Sequence, residues 1–457
     1  QKASMGIFKK NVIISNDTAI SNDTVPSATK LNLRQSLMPC FLGRGFAYGL
    51  LDVLNPHFQK SLHITPSMSS GLSAAYFGAY FLCPPTFSGW ILRNFGFRTT
   101  FMCGLAVLSV GCLCMWPSGM KHSFGGFCGS MFVVGMGLST LETAADPFLA
   151  ICGPPRYSEI RLNLAQAVQA VGSFVAPLLA SRVFFANTID DNEGLKNVQW
   201  VYLSVSCFVA FLIFLFMIVP MPEVTDEDMG IQEIEIANHD PGPFWKQTNL
   251  FLAVWSQFCY VGSQVAIANY FVNFCEEAGK SPSTSSNIFA AAQGLYAFNR
   301  FLAGGLMTFP LFRPRLVLAT YLFLSFVFTL AAALTNSNTS IILLCLAICF
   351  ESACFATIFS LGLRGLGRYT KVGGSLIVAA ISGGAVLPPI AGAVATKMQK
   401  IGSKRPFHHA MIVPMTGFIV AWIYPLYANV WNREVIDIRR ETRLGIENIG
   451  GIKDVEQ

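Results

Sequence analysis

The chain alternates long apolar runs with short polar breaks between Gln35 and Val430. Each run is roughly 20 residues long, the length that an α-helix needs to cross a hydrocarbon core of about 30 Å. Runs of this length are typical of membrane-spanning helices rather than of helices in a soluble core. We predict twelve membrane spans, called span 1 to span 12 below, at 36–58, 67–91, 99–117, 124–152, 161–186, 198–220, 248–274, 284–310, 316–335, 340–363, 374–398 and 407–430.

A charged segment separates the spans into two groups of six. Residues 221–247 are rich in acidic side chains and lack an apolar run of spanning length. We therefore expect an N-terminal six-helix half at 35–220, a cytoplasmic linker at 221–247 and a C-terminal six-helix half at 248–430. Residues 1–34 are polar and rich in Ser, Asn and Thr, which predicts a disordered cytoplasmic N-terminus, and 431–457 would form a cytoplasmic tail.

A short internal repeat supports this division. Arg156–Ile160 (RYSEI) resembles Arg368–Val372 (RYTKV), and each stretch precedes an apolar helix with a Gly- and Pro-containing kink, at 172–177 and 383–388. Parallel repeats of this kind are typical of transporters in which two helical halves hold the substrate between them near the bilayer midplane.

Lys and Arg are divided unevenly between the two sets of short loops. The set that adjoins the termini and the linker carries the excess, with examples at Arg93, Arg98, Arg313 and Arg364. Cytoplasmic loops of membrane proteins are enriched in these residues. We therefore expect an integral membrane protein, in the plasma membrane, with both termini in the cytoplasm.

The composition agrees with a membrane protein and excludes several functions. The chain is 53% hydrophobic and only 12% charged, whereas soluble domains are about 25% charged. Its thirteen cysteines lie mostly in apolar runs and form no CxxC pair, so we expect neither a disulfide framework nor a metal site. No GxxxxGK[ST] loop, basic aromatic run or nucleophile–base pair stands out. We expect neither an enzyme nor an ATP-driven pump, with no cofactor and no nucleic-acid partner.

Acidic residues inside span 4 are functional candidates, because a charge at membrane depth costs about 2.5–3.5 kcal/mol on insertion scales. Glu142 and Asp146 are four residues apart and share a helix face. Two neighbouring carboxylates disfavour ionisation of both, as a proton carrier requires. The alternative is a structural lock in which one carboxylate pairs with Arg44 or Arg161. Asp146 precedes Pro147 and could instead satisfy backbone donors that the proline frees.

Span 1 carries a further acidic and basic residue. Arg44 and Asp52 are eight residues apart, which is about 12 Å along a helix and too far for a direct pair. Asp52 could cap the outer end of the helix or act as a protonatable carboxylate in a water-filled cavity. Arg44 could extend to the cytoplasmic interface or take part in function.

Amide side chains line up along spans 5 and 7. Each amide offers donors and an acceptor, which suits a neutral, hydroxyl-rich ligand, although hydrogen bonds between helices would use the same groups. The substrate-binding candidates are Asn163, Gln166 and Gln169 in span 5 and Gln257, Tyr260, Gln264 and Asn269 in span 7, with Arg44, Asp146, Arg300 and Glu351 as possible charge partners.

Four strings of residues resemble the fucose permease family of the major facilitator superfamily. They are LETAADPF at Leu141–Phe148, RLNLAQ at Arg161–Gln166, QFCYVG at Gln257–Gly262 and TIFSLG at Thr357–Gly362. The similarity extends in order over about 35–430. It implies an all-α fold of twelve transmembrane helices in two six-helix halves, and uptake of L-fucose, galactose, glucose or related sugars with protons.

The resemblance also implies roles for particular residues. Asp52 matches an aspartate linked to proton-coupled sugar binding, Glu142 matches a glutamate linked to proton translocation, and Gln166 falls on a polar position of the sugar cavity. Phe355 stands where the family has a hydroxyl-bearing aromatic in the expected binding site, and Glu351 is an additional acid. These departures leave L-fucose, galactose, glucose and N-acetylglucosamine open as substrates.

The sequence therefore predicts a monomeric, proton-coupled hexose symporter that works by alternating access in the lipid bilayer. Two alternatives use the same fold: a sugar sensor or receptor that does not transport, and a carrier coupled to Na⁺. A drug or organic-anion exporter is a third, which the amide stripes and the family strings disfavour.

Overall fold

The computed structural model describes residues 66–120, 123–151, 158–179, most of 206–218, 242–309 and 311–437. Span 1 with Arg44 and Asp52, the predicted N-terminal segment, most of the linker and most of the C-terminal tail lie outside the described residues. Within these ranges the chain is helical and contains no β-strand.

The helices of the N-terminal half follow the predicted spans closely. A glycine divides spans 2 and 3, because Gly96 has φ 83° inside an otherwise helical segment, a conformation that side chains with a Cβ rarely adopt. The helices are Pro66–Leu82, a π-helical turn Pro84–Ser88, Gly89–Met120, Phe124–Ile151 and Ser158–Leu179.

The C-terminal half contains more interruptions. Spans 10, 11 and 12 are each divided into shorter helices, whereas spans 7, 8 and 9 are continuous. The bounds are Thr248–Glu277, Pro282–Leu306, Pro314–Leu334, Ser337–Glu351, Cys354–Gly362, Thr370–Ala379, a 3₁₀ segment Ala380–Ala385, Leu387–Lys400, Pro406–Ala410, Ile412–Ala421, Ile423–Val430 and a short helix Arg433–Ile436.

Seven helical segments of the described chain are long and apolar enough to cross a membrane. They correspond to predicted spans 2 and 3 together and to spans 4, 7, 9, 10, 11 and 12. Spans 5 and 8 are also helices, at Ser158–Leu179 and Pro282–Leu306, but are not among the seven. Both carry the polar side chains described below. The arrangement confirms an all-α membrane protein.

The two halves pack closely where span 11 meets spans 2 and 4. An added Cβ at Gly374 would lie 2.5 Å from Cγ of Pro147, and one at Gly384 would lie 2.7 Å from the ring of Phe77. Real Cβ atoms essentially never come this close to other atoms. Glycine at these two positions therefore allows the halves to approach.

The predicted kinks of the internal repeat differ between the halves. In span 11 the motif at 383–388 coincides with the end of the 3₁₀ segment Ala380–Ala385. In span 5 the matching motif at 172–177 lies within a continuous helix, Ser158–Leu179. The two copies of the sequence repeat therefore differ in structure: the helix of span 11 is interrupted at the motif, and the helix of span 5 is not.

Candidate functional site

Glu142 lies on span 4 with its side chain turned toward span 2. It is only 2% exposed. The hydroxyl of Tyr80 donates to its Oε1 at 3.3 Å, and the hydroxyl of Tyr76 lies 3.3 Å from that of Tyr80. A phenol stays neutral and can bond a carboxyl group in either protonation state. The geometry therefore suits an acid that gains and loses a proton.

Asp146 lies one helical turn further along span 4 and is fully buried. The next residue, Pro147, forms the close approach to Gly374 of span 11. Asp146 therefore occupies the region where the two halves meet. Arg161, one of its predicted partners, donates from Nε to the carbonyl of Leu149 at 3.0 Å and from Nη2 to that of Ala150 at 2.9 Å, which ties the start of span 5 to the end of span 4.

Span 10 is broken between Glu351 and Cys354, near the middle of its length. A break frees backbone carbonyls, and in a membrane these must find other donors. Side chains from spans 7 and 8 supply them. Tyr260 Oη donates to the carbonyl of Glu351 at 2.8 Å, Arg300 Nε to that of Ser352 at 2.6 Å, and Asn299 Nδ2 to that of Cys349 at 2.8 Å.

Arg300 also connects the two halves. The side chain is 7% exposed. Its Nη1 donates across the interface to the carbonyl of Gln166 in span 5 at 3.2 Å, and its Nη2 donates to Tyr296 Oη at 2.6 Å. Gln264 Nε2 donates to the same hydroxyl at 2.9 Å. Arg300, Tyr296 and Gln264 thus form one network beside the break in span 10.

Glu351 stands at this break and is 3% exposed. Arg300 is its charged neighbour, and the Gln264 amide is its side-chain hydrogen-bond partner. The Arg300 hydrogen bonds nevertheless go to Ser352, Gln166 and Tyr296, and Oε2 of Glu351 is buried without a hydrogen-bond partner. The carboxyl group is therefore close to a cation that is engaged elsewhere.

Several predicted amides are buried with unused polar atoms. Both polar atoms of the Gln257 side chain, Oε1 of Gln166 and Oδ1 of Asn163 lack a hydrogen-bond partner. Leaving such a group unsatisfied costs about 1–3 kcal/mol. Asn163 Nδ2 donates to the Glu159 carbonyl at 2.9 Å and lies 3.4 Å from Thr357 Oγ1 of span 10. The unused atoms are available to the hydroxyl groups of a ligand.

The other predicted substrate-binding residues differ in how deeply they are buried. Gln169 is half-buried, and Asn269 is exposed near the far end of span 7, so Asn269 does not join the buried cluster. Phe355 is buried and stacks on Phe359 with ring centroids 6.5 Å apart. Among the predicted residues that the structure describes, it brings Gln166, Tyr260, Gln264, Arg300 and Glu351 together.

A charged pair that the sequence did not predict joins the halves at the start of span 5. Arg364 Nη2 lies 2.6 Å from Oε1 of Glu159, whose side chain is fully buried. Arg364 Nη1 also donates to the carbonyl of Ile436 in the short helix after span 12. We call the Glu159–Arg364 pair and the Gln166–Arg300 bond the inter-half contact.

Sequence reasoning also missed the tyrosines of the site. Tyr76, Tyr80 and Tyr296 lie inside apolar runs, where tyrosine is common as a packing residue. Glu159 and Arg364 resembled ordinary loop charges. A usable signal was the repeat, since Glu159 belongs to RYSEI and Arg364 lies just before RYTKV.

Comparisons with known proteins agree with this architecture. Residues 37–389 match the sequence model of the Major Facilitator Superfamily. The chain is 26% identical over 402 residues to an L-fucose-proton symporter of Escherichia coli (strain K12), which covers 83% of this chain and 89% of that protein. It is 28% identical over 396 residues to a glucose/galactose transporter of Brucella abortus biovar 1 (strain 9-941), covering 86% of this chain and 92% of the relative.

A solved structure extends the comparison to three dimensions. The crystal structure of a Major Facilitator Superfamily transporter, FucP, in the outward conformation superimposes with a TM-score of 0.74 at 26% sequence identity. The match covers 88% of this chain and 99% of the other. The predicted fold, with twelve helices in two halves, is confirmed at this level.

Proposed function

The chain belongs to the Major Facilitator Superfamily, and we propose that it is a member of the fucose permease family, a proton-coupled sugar symporter working by alternating access. It is a membrane transporter rather than an enzyme. The observation that carries the proposal is Glu142, a buried acid with a neutral hydrogen-bond partner in a helix that packs against the other half. The similar proteins include an L-fucose-proton symporter and a glucose/galactose transporter.

The unused amide atoms support a neutral sugar as substrate. Gln166, Gln257 and Asn163 offer acceptors, and Gln257 also offers a donor, and these atoms have no hydrogen-bond partner within the described part of the chain. Sugar hydroxyls both donate and accept, so binding would satisfy groups that are otherwise costly to bury. We propose these three residues as sugar contacts, with Phe355 packing against the ligand. L-fucose, galactose, glucose and N-acetylglucosamine are the candidate substrates.

The inter-half contact indicates which side of the transporter is closed. It lies at the end of the bundle that carries the connections between spans 4 and 5 and between spans 10 and 11. The excess of Lys and Arg at this end favours a cytoplasmic position. We infer that the structure represents a state closed toward the cytoplasm, in agreement with its similarity to a transporter in the outward conformation. We further propose a monomer in the plasma membrane with cytoplasmic termini.

One proton per sugar would be sufficient for useful accumulation. A proton moving inward across about 100 mV and one pH unit releases about 3.7 kcal/mol. Since 1.4 kcal/mol corresponds to a factor of ten, this energy supports a few hundredfold concentration of a neutral sugar.

Uptake of labelled sugars into proteoliposomes tests the proposal. An inward proton gradient should drive uptake of at least one of the four candidate sugars, and the unlabelled sugars should compete. An inward Na⁺ gradient at equal pH should drive none. Binding without uptake under any gradient would instead identify a sensor or receptor, and uptake driven by Na⁺ alone would identify a Na⁺-coupled carrier.

A further inference from the structure

We propose that Glu351 is a further proton-binding carboxyl group and that Arg300 links its protonation to the contact between the two halves. The inference rests on the proposed function. It goes beyond it because the fucose permease resemblance implies proton-linked roles for Asp52 and Glu142, whereas Glu351 is an acid that the family pattern lacks.

The position of Glu351 makes its ionised form costly without a partner. The residue ends the helix Ser337–Glu351 in the middle of span 10, and its Oε2 is buried without a hydrogen-bond partner. A charged carboxylate at membrane depth needs a directly paired cation or water. The Gln264 amide, a hydrogen-bond partner of the carboxyl group, is neutral, and the hydrogen bonds of Arg300 go to other acceptors. We therefore infer that the carboxyl group holds a proton in this arrangement.

The surroundings of Glu351 contain one cation among the described residues. The titratable and charged groups that face it are Arg300 and Tyr296 from span 8, Tyr260 from span 7 and Cys354 from its own span. Phenols and thiols are neutral near pH 7. Among these neighbours, only Arg300 carries a charge that can stabilise the ionised form of Glu351.

Arg300 is committed elsewhere while the halves are in contact. Its Nε and Nη2 bond within the C-terminal half, to Ser352 and Tyr296, but its Nη1 bonds to the carbonyl of Gln166 in the N-terminal half. When spans 5 and 8 separate on this side, that bond breaks. The freed N–H group then needs a new acceptor, and the nearby Glu351 carboxyl group is the strongest available.

This geometry couples proton release to opening. While the inter-half contact is closed, Glu351 carries its proton. Once the halves separate, the O–H bond of Glu351 breaks, the proton passes to water in the opened cavity, and the carboxylate pairs with the Arg300 guanidinium. Re-closing returns Arg300 to Gln166, and Glu351 then takes up its next proton from water in the cavity that is open to the outside. Together with Glu142, the cycle moves two protons with each sugar.

The number of protons moved with each sugar can be measured from the balance point, which is the sugar concentration ratio at which net flux stops. In proteoliposomes clamped at zero membrane potential with a pH difference of one unit, net sugar flux stops at a sugar ratio of about tenfold for one proton and about 100-fold for two. We expect about 100-fold for the wild type and about tenfold for Glu351→Gln. Arg300→Gln should also balance at about tenfold, because Glu351 then lacks the cation that releases its proton.

Matched variants make each outcome decisive. Glu277→Gln replaces an acid that pairs with His408 outside the site and should keep the 100-fold balance, and Glu351→Asp should also keep it by retaining a carboxyl group. A wild type that balances at tenfold overturns the inference even if no variant folds. A Glu351→Gln protein that balances at 100-fold overturns it as well. A balance point that ignores the pH gradient contradicts proton coupling itself, and with it the proposed function.

Discussion

Glu142 and Glu351, two glutamates buried within spans 4 and 10, have contrasting partners. Glu142 in span 4 receives a hydrogen bond from Tyr80, a neutral group of its own half. Glu351 in span 10 lies near Arg300, a cation that bonds to the opposite half. A hydrogen bond from a neutral phenol fits either protonation state of Glu142, whereas a cation that can move away ties the protonation of Glu351 to the relative position of the halves. Two glutamates can thus gain and lose protons at two different steps of one transport cycle.

The helices that carry the two acids also differ, since one is continuous and the other is interrupted. Span 4 is continuous over Phe124–Ile151 although it contains Pro147. Span 10 is interrupted at Ser352 and Ala353, and the carbonyls at the break are satisfied by side chains from spans 7 and 8. A continuous helix moves as one piece. The break in span 10 depends on hydrogen bonds from neighbouring helices, so movement of those helices affects it more than it affects span 4.

The largest expected effect comes from removing the acid of the N-terminal half. Glu142→Gln should lower proton-driven sugar uptake by about 100-fold or more, since a glutamine cannot carry a proton at this site. Exchange of labelled for unlabelled sugar should survive, because exchange needs no net proton movement. Both rates are measured in the same proteoliposomes.

Tyr80→Phe is the matched control for this prediction. It removes the hydrogen bond to Glu142 but keeps the acid and most of the packing volume, so uptake should fall by about tenfold or less, in line with about 1 kcal/mol for a hydrogen bond. Uptake by Glu142→Gln that still follows the pH gradient would remove Glu142 from the proton path.

The second prediction concerns the broken helix. Asn299→Ala removes the donor to the Cys349 carbonyl and to Ser352 Oγ and the acceptor of the Tyr321 hydroxyl. It should destabilise the protein by about 1–2 kcal/mol, because buried hydroxyl groups in the membrane region lose their partner. Thermal unfolding in detergent measures the loss. Thr143→Val in the continuous span 4 removes a bond to the Ser139 carbonyl, which the helix already satisfies, and should cost less. Equal losses would contradict the special dependence of span 10 on its neighbours.

The third prediction tests the inter-half contact. Arg364→Gln leaves the buried Glu159 without its partner, so opening on this side should become about fivefold more favourable, equivalent to ~1 kcal/mol. Spin labels on non-natural amino acids at the exposed positions Ser123 and Lys404, on the opposite face, should show a larger population of short distances as that face closes. Glu159→Gln should shift the distances in the same direction but less. An unchanged distribution would show that the pair does not hold the halves together.

The smallest expected effect lies outside the membrane, at the short helix after span 12. Asp437 bonds Arg313 at 2.5 Å and Arg315 at 2.9 Å. Burial alone would raise the pKa of this carboxyl group, but the hydrogen bonds and charges of Arg315 and Arg313 outweigh burial and hold the pKa below its ordinary 3.8. Its stabilising contribution is therefore complete above pH 3.8 and is lost as the pH falls through the lower folded value.

Asp437→Asn should accordingly lower thermal stability by a few tenths of a kcal/mol at neutral pH, as for other partly exposed ion pairs. The difference from the wild type should vanish in strong acid. A difference that grows on acidification would contradict the sign of the pKa change.

The sequence predicted the parts of the site that depend on local patterns. Hydropathy placed the described spans, and the strings around Glu142 and Gln166 indicated the acid and amide that prove to be buried. The break in span 10 was not predicted, because Ser352 and Ala353 carry no Gly or Pro signal. The partners of the site were also missed, since Tyr80 with Glu142 and Arg364 with Glu159 are distant in sequence and meet only through packing.

The most direct test of the account is the pH inside wild-type proteoliposomes when sugar alone is added. With a trapped pH indicator, no membrane potential and no initial ion gradient, entry of a transported sugar should acidify the lumen, and the acidification should stop when the sugar has equilibrated. Labelled sugar is followed in the same preparation. Sugar entry with no change of internal pH would contradict proton-coupled symport.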